Sequence, residues 1–360
     1  MPKPTLLSVA LFAVTLFPFH VQSQSDYHAE IKQAAISFVN SLDKMQKRSA
    51  LLTFYDTARI KWNNLPVGLR ARAGINVGNM TDSQRDLFHR ILSASLSSQG
   101  YLKATSIMHL DNLLNLLYDS LYRRGDLNDD NIADVRSLKW TPRNFFIAFF
   151  GSPADSIWGY KVEGHHLSIN FTFIKDKISV TPFFVGTDPA DYPMTEYAGW
   201  RILGEEEDLG IKLVHLLSTD QQKTATMSNA VPRDIITAAE SGKRLVDNWG
   251  IQGAQMNSEQ KKLLQYIIRE FVFNLEYEKA VAEYEKIIKA GIDKIYFGWI
   301  GPYEESKPHY YVLNGPTFLI EFDNCGGNGK GNHIHAIWRE KGNEYGEDVL
   351  KMHYEAEHHH

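Results

Sequence analysis

The chain of 360 residues contains one cysteine, Cys325, so no disulfide can form within it and its stability must come from packing. It has no block of one charge: 38 Lys and Arg stand against 43 Asp and Glu, a net charge of −5, which argues against a nucleic-acid surface. It has no Gly-rich phosphate loop, no Gly-x-Ser-x-Gly elbow and no His-Glu-x-x-His helix, and the lone thiol lacks a cysteine-hydrolase setting. Long apolar runs are missing except at the start, where Lys3 precedes Leu6 to Phe19 and the small-residue pattern Val21-Gln22-Ser23 follows. That layout reads as a secretory signal peptide over residues 1–23, too short and too poorly flanked for a membrane span. The expected mature protein is exported, periplasmic or extracellular, and free of the membrane; a retained N-terminal anchor is the competing reading.

What is present is enough apolar material, 43% hydrophobic and 12% aromatic, for one large core or two moderate ones. From about residue 26 to 125, period and scarce proline predict helices, within a helical region of residues 24–140. Four segments share one helix-opening pattern: Ser41 to Lys47, Thr81 to Arg85, Ser218 to Gln222 and Asn257 to Lys261. Their spacing is too irregular for a solenoid. After residue 140 come short β-branched and aromatic runs, Asn144 to Phe150, Ile157 to Val162, His165 to Ile174 and Ile178 to Phe184. Helices return, ending with a long one over Gln260 to Lys289. A second strand group follows: Lys294 to Ile300, His309 to Leu313, Thr317 to Asp323 and Asn332 to Arg339, before a closing helix from Gly346 to His353. The expected fold class is α+β: an N-terminal helical region packed with a mixed or antiparallel sheet flanked by helices. Residues 141–360, which carry the His-rich motifs, are expected to form one continuous domain with 24–140.

The chemistry gathers on the strands. Side chains two apart on a strand point the same way, so His333 and His335 project from one face and can offer two nitrogens to one metal ion. Leu319, Glu321 and Asp323 share a face of the preceding run, so a carboxylate and two imidazoles can converge if the runs pair. Three such ligands leave zinc an open position, the arrangement that makes water a nucleophile near neutral pH. His165 and His166 are adjacent; on a straight strand they face opposite ways, so one is expected as a ligand and the other as a supporting or packing residue. Glu163 and Glu321 are candidate general bases. The competing reading keeps the histidines as hydrogen-bonded strand residues and the glutamates as solvated edge charges. His309 and His353 are weaker candidates for the same rim. Cys325 reads as a bystander thiol, with a soft metal ligand as the alternative. The terminal His358 to His360 resembles a tag remnant and is set aside.

Several runs resemble the "domain of unknown function 3500" family of exported, mostly bacterial proteins. They are Trp158 to Thr172, Thr181-Pro-Phe-Phe with Gly186 and Pro189-Ala190, Tyr310 to Pro316, Leu319 to Asn324, Asn332 to Arg339, and Gly346 to Leu350 with His353-Tyr354. The resemblance covers nearly the whole mature chain and departs at the Gly-rich Cys325 to Gly331. It implies no reaction, but its motif residues able to do chemistry include Glu163, His165, His166, Glu321, His333, His335 and Arg339. The expectation is an exported protein with a histidine-rich divalent-metal site, zinc first and copper or iron as alternatives. Hydrolysis is placed ahead of oxidoreduction, and a non-catalytic metal- or ligand-binding protein is the third reading. His165, His166, His333 and His335 are the metal candidates, Glu163 and Glu321 the bases, and Arg339 the holder of an anionic group on a small or polymeric substrate.

Overall fold

The computed structural model describes residues 27–351 except 176, 244, 246, 306, 326–330 and 349. The expected signal peptide, the Gly-rich turn, His353 and the terminal histidines therefore lie outside the described residues.

The first half runs through α1 (Tyr27–Ser41), α2 (Lys44–Ala50), β1 (Leu51–Leu52), β2 (Ile75–Asn76), α3 (Asp82–Ser95), α4 (Ser98–Arg123), α5 (Asp129–Ser137), β3 (Phe146–Phe150), β4 (Ile157–Gly164), β5 (Leu167–Ile174), β6 (Lys177–Ser179) and β7 (Phe183–Thr187). The second half runs through α6 (Gly204–Leu216), α7 (Thr219–Ala225), β8 (Thr226–Ser228), β9 (Ile251–Gln252), α8 (Ser258–Val272), α9 (Tyr277–Gly291), β10 (Tyr296–Ile300), β11 (Tyr310–Asn314), β12 (Phe318–Asn324) and β13 (Ile334–Glu340). The fold is α+β around one mixed sheet, ordered β1-β3-β4-β5-β7-β13-β12-β11-β10-β8, with β2 on β3, β6 on β5 and β9 on β10.

That order reads the same from either end. The parallel pair β1 and β3 at one edge matches the parallel pair β8 and β10 at the other, and each edge carries a further antiparallel strand, β2 or β9. The four helix openings seen in the sequence resolve into two copies of one device. Asp43 with Gln46 and Thr81 with Gln84 form capping boxes, as do Ser218 with Gln221 and Asn257 with Gln260. In the first copy Gln46 donates to the carbonyl of Asn79 and Gln84 to that of Ser41, and the two amides bond each other at 2.8–3.0 Å. In the second, Gln221 donates to the carbonyl of Gln255, Gln260 to that of Leu216, and the amides meet at 2.8–3.1 Å. The two halves repeat one architecture about a pseudo-twofold axis between β7 and β13, where Phe183 pairs with Trp338. The helical layer repeats the relation at the bridge between Leu96 and Leu275, which precede the N-caps of α4 and α9.

Two expectations about elements need correction. The helix expected over Gln260 to Lys289 is two helices, because the chain turns at Phe273–Glu276 to make the Leu96 bridge, and Glu276 caps α9. Within the expected helical stretch, residues 51–80 are mostly non-helical. They contain Pro66, Gly68 and Gly74, and they form a cover for the sheet.

The sheet faces differ in chemistry. One face carries Phe149, Tyr160, Ile169, Phe171, Phe322 and Trp338 against the helices, in a single core that draws on residues from Ile31 to Trp338. The opposite face is covered by long loops: Trp62 and Ile235 pack on Phe184 and Ile337, and Leu245 packs on Tyr310 and Leu319. Buried polar residues of the strands, among them Glu163, Ser168, Asn170, Glu321, Asp323, His335 and Arg339, lie on this loop-covered face.

Candidate metal centre

Three imidazoles converge where β5, β7 and β13 meet under the loops. Gly164 pairs with Leu167, so His165 and His166 are the two-residue turn of the β4–β5 hairpin rather than the first residues of a strand. His166 takes a left-handed backbone, φ 59°, which is unfavourable for a side chain of its size and is held by its neighbours. Its N–H donates to the Asn64 carbonyl at 3.0 Å, and its own carbonyl accepts from Gly186 N at 2.8 Å. His335, on β13, pairs with Gly186 on one side and Asp323 on the other. Gly186 makes the room: a Cβ there would lie 3.0 Å from a ring carbon of both His166 and His335. His333, just before β13, is fixed by its N–H to Asn324 Oδ1 at 2.9 Å.

His166 Nε2 and His333 Nε2 stand 2.8 Å apart, and one ligand nitrogen from each of His166, His333 and His335 falls within 4.8 Å of the others. Carboxylates back the rings from outside. Asp234 Oδ1 is 2.8 Å from His335 Nδ1, Asp188 Oδ2 is 3.6 Å from His333 Nδ1, and Asp323 Oδ2 is 3.9 Å from His335 Nδ1. A carboxylate on the outer ring nitrogen fixes the tautomer that leaves the inner nitrogen's lone pair free.

The electrostatics favour neutral rings at His166 and His333 and the charged ring at His335. Burial first, and the neighbouring imidazoles second, hold His166 and His333 well below the usual histidine range. Burial also opposes protonation of His335, but the hydrogen bond and charge of Asp234, with Asp323 and Asp188, outweigh it and raise the value. Burial pushes the carboxyls of Asp188 and Asp323 up to about 6. Two deprotonated Nε2 atoms at 2.8 Å repel unless something lies between or beside them. A proton on one of them makes this contact a hydrogen bond; nitrogens of a tetrahedral zinc site lie about 3.3 Å apart, so a cation held by both would replace that proton and part the two rings by about half an ångström.

The other expected residues fall in different places. His165 turns away from the three-imidazole group: its Nδ1 meets Asp111 Oδ1 at 2.6 Å, its ring stacks on Trp140, and it lies 3.8 Å, centre to centre, from the His166 ring. Glu163, Glu321 and Arg339 share the loop-covered face but belong to neither group of clustered ligand atoms. Glu163 accepts from Asn63 N at 2.8 Å and sits 3.4 and 3.5 Å from Arg72 and Lys161. Glu321 is fully buried and accepts from the amides of Ile236 and Thr237, the Thr237 hydroxyl and Tyr310. Arg339 donates to Thr237 Oγ1 and O and to Glu344. Through these bonds the three residues tie the cover to the sheet. His309, just before β11, has its carbonyl bonded by Asn324 N, but its ring is buried between Trp299 and Phe322 on the helix-covered face and does not join the group. Sequence reasoning missed Asp111, Asp188 and Asp234. Asp188 precedes the Pro189-Ala190 that was singled out, whereas Asp111 in mid-helix and Asp234 in a loop carry no local signal.

Beside His333 opens a polar cleft of about 800 Å³, lined by Ala190, Arg201, Glu207, Asn324 and Asn332 among others. Fold and site together define an α+β protein with a three-imidazole group backed by carboxylates, in which Asn324 of the cleft wall bonds the His333 amide. The chain belongs to the family described as "Protein of unknown function (DUF3500)", whose pattern matches residues 24–347. Neither curated proteins nor solved structures gave a match to it.

Proposed function

We propose that this chain is an exported metal-dependent enzyme in which His166, His333 and His335 hold one divalent cation, zinc before copper or iron, and that its chemistry is hydrolytic. The observation that carries the reading is the convergence of three ring nitrogens, with Asp234 on the outer nitrogen of His335 and Asp188 3.6 Å from that of His333. Such a donor set suits zinc, copper and iron alike, and the lack of a thiolate or thioether among the three favours zinc over a soft cuprous site. When bound there, zinc supplies Lewis acidity and lets water act as a nucleophile near neutral pH.

The chain's own residues do the rest. Asp234 orients His335, and the loop carrying it is pinned to the sheet by Glu321. Asp111 and Trp140 hold His165 behind His166. Asn324 sets His333 at the rim, where its side chain keeps 17% exposure next to the cleft. Substrate would approach by that route, and the polar lining suits a polar small molecule or polymer rather than a lipid. Among the described residues no helix is long and apolar enough to cross a membrane. The case for export rests on the layout of residues 1–23.

The second reading, an oxidoreductase on copper or iron, is favoured by one observation: Asp234 and Asp111 are hydrogen-bonded to ring nitrogens of His335 and His165, and Glu163 and Glu321 to loop amides, so none of these four is a free general base. Replacing His333 and His335 together with alanine tests the shared premise. Metal content should fall from one equivalent or more to none while the chain still folds. A variant that loses stability with no change in metal content, because the wild type holds none, would refute the assignment.

A further inference from the structure

His335 presents donors on both sides of its ring. Its Nε2 lies 3.4 Å from the Asn64 side-chain amide and is taken as the nitrogen that faces the three-imidazole group. On the Nδ1 side lie Asp234 Oδ1 at 2.8 Å and Asp323 Oδ2 at 3.9 Å, and these three atoms also fall within 4.8 Å of one another. Asp323 is fully buried; its carboxyl accepts from Cys325, through the N–H to Oδ1 at 3.3 Å and through the thiol, while Oδ2 has no hydrogen-bond donor among the described residues. An unpartnered carboxylate oxygen in a core is costly, and the Nδ1 hydrogen bond is already taken by Asp234. Something is needed that satisfies both carboxylates and the ring nitrogen at once. A divalent cation does so, whereas one proton on Nδ1 satisfies only the nearer oxygen. Asp234, 39% exposed, gives this side its own opening to solvent.

We propose that Asp234, Asp323 and Nδ1 of His335 form a second divalent-cation site, so that His335 bridges two cations through its two ring nitrogens. This rests on the reading that Nε2 of His335 faces the first cation. Two carboxylates and one imidazole suit zinc, manganese, iron or cupric ion. The Nδ1 proton leaves to solvent as the second cation takes its place, and the resulting imidazolate with two carboxylates offsets most of the added positive charge. The repeat supports a site carried by one half. The stacked pair Tyr160 and Phe171 matches Tyr311 and Phe322, and the residue after the second ring is Thr172 in the first copy and Asp323 in the second.

The test uses the full chain with His358, His359 and His360 replaced by alanine, stripped by chelator and titrated with cupric ion under electron spin resonance. Two equivalents should bind, with magnetic coupling between them. Asp323→Asn and, separately, Asp234→Asn should weaken the second equivalent by more than about 100-fold and leave one uncoupled signal. Asp234→Asn keeps the test valid if Asp323→Asn does not fold, since Asp234 sits at the open edge. One equivalent in the wild type and in both variants would overturn the second site and leave the three-imidazole site standing. No equivalent in the wild type would overturn both. Two equivalents that survive both substitutions would also overturn the bridge.

Discussion

His166 Nε2 lies 2.8 Å from His333 Nε2, although 167 residues separate them in the chain. One ring comes from the turn of a hairpin in the first copy of the repeated architecture and the other from the entry to the last strand of the second copy. The central pair β7 and β13 brings the two copies edge to edge, and the site sits at one end of that seam.

Gly186→Ala should damage the centre without removing a ligand. The new Cβ would meet the Ile334 carbonyl at 2.8 Å and ring carbons of His166 and His335 at 3.0 Å. Metal affinity should drop by about 10–100-fold, the scale of a disturbed supporting contact. Isothermal titration of wild type and variant measures it, and an unchanged dissociation constant would show that the glycine is not what spaces the rings.

Gln84→Ala and Gln260→Ala should cost the same. Each amide completes a capping box and spans to a second helix, and both are buried. Loss of the cap and of buried partners predicts about 2 kcal/mol for each. Denaturant unfolding of both variants reads this directly. A large cost at one position and none at the other would mean that the halves are not equivalent in their contribution to folding.

Arg339→Ala should lower stability by about 3 kcal/mol or more, because Glu344 and the Thr237 carbonyl lose a buried partner, and should leave metal stoichiometry unchanged. Loss of metal at full stability would instead return Arg339 to the functional site.

Glu321 gives a pH signature. Burial raises its proton affinity above the usual 4.5, more than the bonds from Thr237 and Tyr310 and the charge of Arg339 lower it. A carboxyl with a raised folded-state value binds its proton more tightly folded than unfolded. Its contribution is full below about 4.5 and is lost as pH rises through the folded value. The stability advantage of wild type over Glu321→Gln should therefore narrow from pH 4 toward pH 8 in chemical unfolding. A gap that widens with pH would show that the loop's donors favour the charged form.

Most of the element pattern was legible because it depends on short-range rules. Strand alternation placed Glu321 and Asp323 on one face and paired their run with that of His333 and His335, and the cap residues marked the starts of α3, α7 and α8. The hairpin turn at His165 and His166 was read as strand because no turn residue follows Gly164; only the pairing of Gly164 with Leu167 reveals it. The repeat escaped notice because its two copies share cap chemistry and ring stacking rather than a fixed period. The roles of Glu163, Glu321 and Arg339 could not be read from alternation, since their partners are loop amides and carbonyls distant in sequence. The same holds for Asp234 against His335, where the distance along the chain is 101 residues.

The central claim is that the three inner ring nitrogens hold a cation. The most direct measurement is elemental analysis of protein purified from its native host without added metal, with His358 to His360 absent, followed by thermal unfolding across a metal titration. The account predicts at least one equivalent of zinc, copper or iron, and a melting temperature that rises with the logarithm of metal concentration above the dissociation constant. Metal-free protein whose melting temperature is unmoved by all three ions would contradict it.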